Sequence, residues 1–113
     1  MKGVFPASIL QLPQANVPVK GVKAYLSQAL DHQIIFMRFS KKVVVPEHTH
    51  ESQWCVVLEG RVDMKIGRTK RTYLKGDRYY VAKGVPHSAT IYPGYTDVTF
   101  FNQADRYQGK GQK

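Results

Sequence analysis

The sequence has little cysteine, few acidic residues and no long apolar runs. Its 113 residues include one cysteine, Cys55, which excludes an intramolecular disulfide and gives no sign of an oxidising compartment. No apolar run approaches the roughly 20 residues of a membrane-spanning helix. The short apolar patch near the N-terminus is interrupted by Pro6 and Pro13, which makes it a poor signal peptide. We therefore expect a cytoplasmic protein with no membrane association.

The scarcity of acidic residues leaves a strongly basic chain. There are 8 Asp and Glu residues against 17 Lys and Arg residues, for a net charge of +9. Such an excess could attract nucleic acid, anionic lipid or acidic small molecules. The basic residues do not form one block, and no helix-turn-helix, RNA-binding or zinc-finger pattern is found. We interpret the charge as a solvated surface rather than a nucleic-acid interface, and a small anionic ligand is compatible with it.

A convincing amphipathic helix is also missing. Turn signals recur instead, separated by short runs rich in β-branched and aromatic residues, which predicts an all-β sandwich or barrel. The chain length suits a single domain. The candidate strands are 22–28, 33–40, 42–45, 53–59, 61–66, 70–74, 78–82, 87–92 and 96–102.

The two ends of the chain differ from this strand-rich region, which we place at 21–105. Residues 1–20 contain several prolines and predict an extended arm that could pair with a neighbouring chain or cover a sheet edge. Residues 106–113 contain Gly, Gln and Lys and predict a flexible basic tail.

Histidines supply the first functional signal. His48 and His50 are two residues apart, so on a strand both rings point to one face, a spacing that suits two imidazole ligands on one metal. His87 follows a turn at the start of another strand, and three histidines from two strands could supply three ligands to one ion. His32 lies beside Asp31 in a predicted turn, and we interpret it as a surface residue.

These segments resemble the two sequence motifs of the cupin superfamily. The stretch PEHTHESQWCVVLEG matches the first motif, with His48, His50, Gln53 and Gly60 at its positions, and GDRYYVAKGVPHS matches the second, with His87. The resemblance implies a small single-domain cupin, which is a jelly-roll β-barrel (double-stranded β-helix) with a metal near its mouth. The ligand set implied is His48, His50, Gln53 and His87, around one divalent transition metal that could be Zn, Fe, Ni, Mn or Cu.

Gln53 departs from the family pattern, because it stands where the family has a metal-binding glutamate. Only two residues separate it from His50, fewer than is usual, so a turn or bulge at 51–52 must restore the facing of Gln53. Glu51 is the alternative carboxylate, but on a regular strand it points away from the neighbouring His50. A neutral glutamine leaves a local charge of about +2 rather than +1, which lowers metal affinity and favours an anionic ligand. The other interpretation is that the site has lost its metal and that Gln53 forms hydrogen bonds inside the barrel.

Two classes of function fit this pattern. One is a metal-dependent enzyme acting on a small anionic or carbohydrate-derived substrate, since the ligand set is similar to that of the small cupins that process unsaturated uronates. The other is a non-catalytic cupin module that binds or senses a small molecule. The candidate substrate-binding residues are Arg38, Tyr25, Tyr80 and Tyr92, with Arg78 as a weaker candidate, and no catalytic residue can be assigned.

Arg38 lies in an otherwise apolar run, where it predicts either an edge-strand or snorkelling side chain or an anion contact. Cys55 shares strand parity with Gln53, so it could line the barrel, whereas Trp54 should face a second layer or a subunit contact. We expect a homodimer, as small cupins commonly form.

Overall fold

Nine strands and one helical turn are formed by residues 3–110, the part of the chain that the computed structural model describes. The elements in chain order are α1 (Ala7–Leu10), β1 (Val22–Gln28), β2 (Gln33–Phe39), β3 (Val43–His48), β4 (Gln53–Glu59), β5 (Arg61–Ile66), β6 (Thr69–Leu74), β7 (Arg78–Val81), β8 (His87–Ile91) and β9 (Thr96–Phe101).

The strands form two antiparallel sheets. One has five strands in the order β1-β2-β9-β4-β7, and the other has four in the order β3-β8-β5-β6. Because strands distant in sequence lie side by side in both sheets, the fold is a jelly roll and not a series of hairpins. The all-β fold class predicted from the sequence is confirmed.

Alternation of apolar and polar residues explains which face of each strand is buried. In β5, Val62 and Met64 are buried while Arg61 and Lys65 are exposed, as the period of two in a strand requires. In β4, Cys55 and Val57 are buried between the sheets. The core therefore lies between the inner faces of the two sheets.

The outer face of the five-stranded sheet is apolar but open. Strand registers place Ile34, Phe100, Trp54 and Tyr80 side by side across β2, β9, β4 and β7. Trp54 is 45% exposed and Tyr80 58%. The sequence predicts that Trp54 faces a second layer or a subunit contact, and among residues 3–110 no second layer of strands covers it.

The N-terminal arm packs on its own chain. Ala15 donates a backbone hydrogen bond to Ala24 in β1, and Leu26 donates one to Pro13. Phe5 is buried with its ring edge-on to Tyr25 and Phe36. The arm therefore covers the edge of β1, and it contains the helical turn α1 in addition to extended chain. Residues 1–2 lie outside the described part.

The C-terminal segment differs from the predicted flexible tail. Gln33, which is 0% exposed, accepts a hydrogen bond from the backbone N–H of Tyr107 and donates one to its carbonyl. Lys110 donates a backbone hydrogen bond to Gln14. Residues 106–110 are thus held against the barrel by groups that lie far away in sequence, while 111–113 are outside the described residues. No helix among residues 3–110 is long and apolar enough to cross a membrane.

Candidate metal centre

Two irregularities near the end of β3 turn the histidines inward. The pairing of β3 with β8 shifts register between Val45 and His48, where Pro46 and Glu47 are both exposed. The extra residue lets Val45 and His48 face the same side although they are three positions apart. The sequence showed this break only as the end of a strand.

A bend at Glu51 then carries the chain from β3 in one sheet to β4 in the other. Across this bend His50 and Gln53 both line one cavity, so the parity is restored at the position that the sequence predicted. The Glu51 carboxylate lies 3.3 Å from the ammonium of Lys83 in an ion pair, which supports ranking it below Gln53 as a ligand.

The three histidines are held through the same ring nitrogen. The Nδ1 atom of His48 lies 2.9 Å from the backbone carbonyl oxygen of Pro46. The Nδ1 atom of His50 lies 2.6 Å from that of Glu51, and the Nδ1 atom of His87 lies 2.9 Å from that of Val85. A carbonyl oxygen only accepts hydrogen bonds, so each Nδ1 carries the proton and donates it. Each Nε2 is then left with a lone pair available to a metal.

The three imidazoles converge in one cluster beyond the end of β3 and at the start of β8. The ligand atoms of His48, His50 and His87 all lie within 4.8 Å of one another, and the Nε2 atoms of His50 and His87 are 3.0 Å apart. With both Nδ1 atoms protonated, two lone pairs face each other, which is repulsive unless a cation lies between them. Two nitrogens bound to one ion at about 2.1 Å would be about 3.0–3.4 Å apart for right-angle to tetrahedral geometry. The residues present therefore fit a metal ion.

Burial keeps two of these imidazoles neutral. It lowers the pKa of His50 to about 4, against a smaller opposing effect of its hydrogen bond to Glu51. Burial also lowers the pKa of His87, which is 3% exposed, and the nearby Arg106 contributes in the same direction. Since only neutral imidazole binds a metal, both side chains are in the ligating form at neutral pH.

A cavity of about 260 Å³ opens beside the histidines and runs between the sheets. Gln53 is 8% exposed and lines it. The wall is mostly apolar, with a few polar groups at defined places. The polar and aromatic lining residues besides the histidines and Gln53 are Phe39, Tyr79, Tyr95, Asp97, Thr99, Phe101, Arg106 and Tyr107.

Arg106 is a functional candidate that the sequence did not single out. Its guanidinium lies 5.7 Å from the ring centre of Phe101 and 4.5 Å from that of Tyr107. Its buried Nε has no hydrogen-bond partner among residues 3–110. The two hydrogen bonds between the Gln33 side chain and the Tyr107 backbone hold the neighbouring Arg106 at the cavity. The sequence signal for Arg106 as a binding residue was its place before the aromatic Tyr107. The pair lies in the segment predicted to be a flexible tail, so it was not selected.

Sequence comparison identifies the family. The family described as Cupin domain matches residues 35–101, which is more than half of the chain. This chain belongs to the cupin family. A search of curated protein sequences found no match. The resemblance inferred from the two motifs is therefore confirmed, and the protein is a cupin with a three-histidine group that could hold a metal ion.

Solved structures with the same fold include other cupins. KdgF from a Halomonas species has a TM-score of 0.69 at 20% identity, over 80% of this chain and 87% of that one. An RmlC-like cupin from Shewanella frigidimarina has a TM-score of 0.73 at 21% identity, over 83% and 86%. Oxalate decarboxylase from Bacillus subtilis has a TM-score of 0.71 at 18% identity, over 86% of this chain but 29% of that one. At these identities the similarity shows the fold.

The other predicted site residues lie away from the cupin cavity. Arg38 and Tyr25 are on the outer face of the five-stranded sheet and line a separate depression beside the N-terminal arm. The run that holds Arg38 is an inner strand and not an edge, and the exposed guanidinium belongs to its outward face.

Tyr80 and Arg78 point outward from β7 and are exposed. Tyr92 donates a hydrogen bond to Asp63 at the surface of the other sheet. Strand parity explains the positions on β1, β2 and β7, because neighbouring residues there are the inward ones. None of these side chains supports ligand binding at the histidines by its position.

Proposed function

We propose that this cupin is a metal-dependent enzyme acting on a small anionic or carbohydrate-derived substrate. The observation that carries the proposal is the convergence of the three histidines on a cavity that is also lined by a cationic side chain, Arg106. His48, His50 and His87, with Gln53 as a fourth ligand, would hold one divalent transition metal. When bound, such an ion acts as a Lewis acid toward a carbonyl or hydroxyl oxygen.

The protein's own groups favour an anionic substrate. The neutral Gln53 adds no negative charge to the centre, so about +2 of local charge remains with a divalent ion. Arg106 adds a further positive charge, and because its side chain lines the cavity, its guanidinium can donate to a carboxylate there. We infer that Arg106 orients the substrate carboxylate at the mouth while the apolar wall excludes water.

Cavity size and fold support a small substrate. The volume of about 260 Å³ is slightly below the usual range for small-molecule pockets, which begins at about 300 Å³. The similar ligand set of uronate-processing cupins makes unsaturated uronates the first substrates to test. Oxalate decarboxylase, whose fold this chain shares, contains Mn(II) centres, so Mn(II) belongs among the metals tried.

The test combines metal analysis with turnover. Untagged protein should hold close to one transition-metal ion per chain, and His50→Ala should lower metal affinity by more than about 100-fold. His32→Ala is the matched control, because His32 stacks on Phe100 outside the cavity and should leave metal content unchanged. Absence of bound metal after reconstitution with Zn, Fe, Ni, Mn and Cu would contradict the proposal.

Turnover separates the enzyme from a binding module. We expect metal-dependent loss of an unsaturated uronate or another small carboxylate in a substrate panel, abolished in His50→Ala and with a raised KM in Arg106→Gln. Ligand-induced thermal shifts without turnover of any member would instead establish a non-catalytic small-molecule-binding cupin.

We also propose that the cupin is a homodimer formed through the outer face of the five-stranded sheet. Support comes from the row of apolar side chains there, including Trp54 and Phe100, which is larger than single scattered exposed residues. A monomer in light scattering would refute this.

A cytoplasmic location is a further proposal. It is supported by the single cysteine, Cys55, which is free and buried. Fractionation of the source cells is the direct test, and recovery from the periplasm or medium would refute it.

A further inference from the structure

A half-satisfied carboxylate lies in the cavity wall, away from the histidines. Asp97 on β9 is 4% exposed. Its Oδ2 accepts hydrogen bonds from the Tyr95 hydroxyl at 2.6 Å and the Cys55 thiol at 3.4 Å. Its Oδ1 has no hydrogen-bond partner among residues 3–110, and the ion pairs found in that part of the chain do not include it. Asp97 lines the cavity, so a small rotation of its carboxylate would offer this buried, unpartnered oxygen to a ligand as an acceptor.

Asp97 lies too far from the histidines to be a ligand of the same metal. The inward-facing residues of β9 run Asp97, Thr99, Phe101, and the Phe101 ring centre is 5.4 Å from that of His50. At about 3.4 Å per residue, the four steps from Asp97 to Phe101 span about 14 Å. The cavity therefore has a metal-binding end and a separate acceptor end.

The acceptor end discriminates between ligand groups. A buried oxygen without a partner is costly to leave unsatisfied, and a ligand hydroxyl or N–H would satisfy it. A second carboxylate in the same place would face like charge and be rejected. Burial raises the pKa of Asp97 to about 6, so the group is mostly ionised at pH of about 8.

We propose that Asp97 forms a second binding subsite, which accepts a hydrogen bond from a hydroxyl or N–H group at the far end of the ligand. The ligand class is then an elongated small molecule with an anionic group at one end and a neutral hydrogen-bond donor at the other, such as a hydroxy acid. This inference rests on the proposed function, because the anionic end is placed at the metal and Arg106.

The experiment is calorimetry on metal-loaded protein at a pH of about 8. The probes are ω-hydroxy derivatives of butanoate, hexanoate, octanoate and decanoate, each compared with the unsubstituted acid and the dicarboxylate of equal length. At one chain length, the wild type should bind the hydroxy acid at least about tenfold more tightly than the unsubstituted acid or the dicarboxylate of equal length.

The Asp97→Asn substitution removes the negative charge while keeping nearly the same side-chain shape. It should bring the hydroxy acid and the dicarboxylate to within about threefold of each other, with metal content unchanged. Asp31→Asn, at an exposed carboxylate outside the cavity, should retain the wild-type pattern. If Asp97→Asn does not fold, the comparison of the three probes on wild type still decides.

The outcomes separate this inference from the proposed function. Metal-loaded wild type that binds the acids equally with and without the hydroxyl overturns the Asp97 subsite and leaves the metal centre standing. A protein that holds no metal and binds none of the acids overturns both.

Discussion

Gln53 is the residue whose chemistry most distinguishes this centre from a carboxylate-containing cupin site. Gln53→Glu would place a negative donor next to the histidines without lengthening the side chain. We expect metal affinity to rise by about tenfold or more and carboxylate binding to weaken, because the net local charge falls by one unit. Titration of chelator-treated protein with Zn(II) or Mn(II) measures the first effect and calorimetry with a carboxylate the second.

Glu51→Gln is the control for this change. The Glu51 carboxylate pairs with Lys83, so its loss should leave metal affinity unaltered. Equal metal affinity in wild type and Gln53→Glu would show that residue 53 does not ligate.

Asp97 predicts a pH dependence of stability. Burial raises its pKa from 3.8 to about 6, so between those values the folded state binds more protons than the unfolded state, and stability falls as pH rises. The groups facing it, Tyr95, Tyr79 and Cys55, stay neutral over this range. From pH about 4 to 7, wild type should lose about 2 kcal/mol relative to Asp97→Asn.

Urea denaturation of both proteins at each pH gives this difference, and effects of the histidines cancel because both proteins contain them. A constant difference across the range would contradict the raised pKa.

Among the elements, the turn between β4 and β5 depends on Gly60. Its φ is +81°, and a Cβ there would lie 2.6 Å from the Cα of Tyr95, a backbone atom that cannot move aside cheaply. Gly76 has a similar φ of +90° but open space around it. Comparing alanine substitutions at Gly60 and Gly76 therefore separates the cost of a positive φ, which both positions share, from the cost of a steric clash, which only Gly60 has.

We expect Gly76→Ala to cost about 1–2 kcal/mol of unfolding free energy, and Gly60→Ala at least about 2 kcal/mol more. Chemical denaturation of both variants measures this. Equal losses would mean that strain alone explains the glycine at position 60.

The histidine strand shows how far element prediction reached. Strand positions followed from alternation and turn residues, and the bend at Glu51 followed from the short spacing between His50 and Gln53. The bulge at Pro46–Glu47 could not be predicted from the sequence, because a register shift is defined by the partner strand β8, which no local pattern identifies. Arg38 and Tyr25 lie outside the histidine cavity for a related reason, because their neighbours in sequence take the inward face.

For the whole molecule, the open apolar face predicts assembly. Trp54→Lys should shift the protein from dimer to monomer in light scattering, since it places a charge in the middle of the proposed interface. Leu30→Lys is the control: Leu30 is 101% exposed in the turn between β1 and β2, and its substitution should leave the dimer intact. A dimer that survives Trp54→Lys would place the interface elsewhere.

The sequence by itself determined the all-β class, the three histidines and the two motifs whose resemblance to cupins implies a jelly roll. These depend on short-range patterns: alternation, turn residues and fixed spacing within two segments. Only the tertiary structure decided the protonated nitrogen of each histidine, the placement of Arg106 at the cavity and the buried, unpartnered oxygen of Asp97. Each of these depends on a group distant in sequence or on burial, as when Gln33 fixes Tyr107 from across the barrel. A linear pattern carries no record of such contacts, because folding alone brings the groups together.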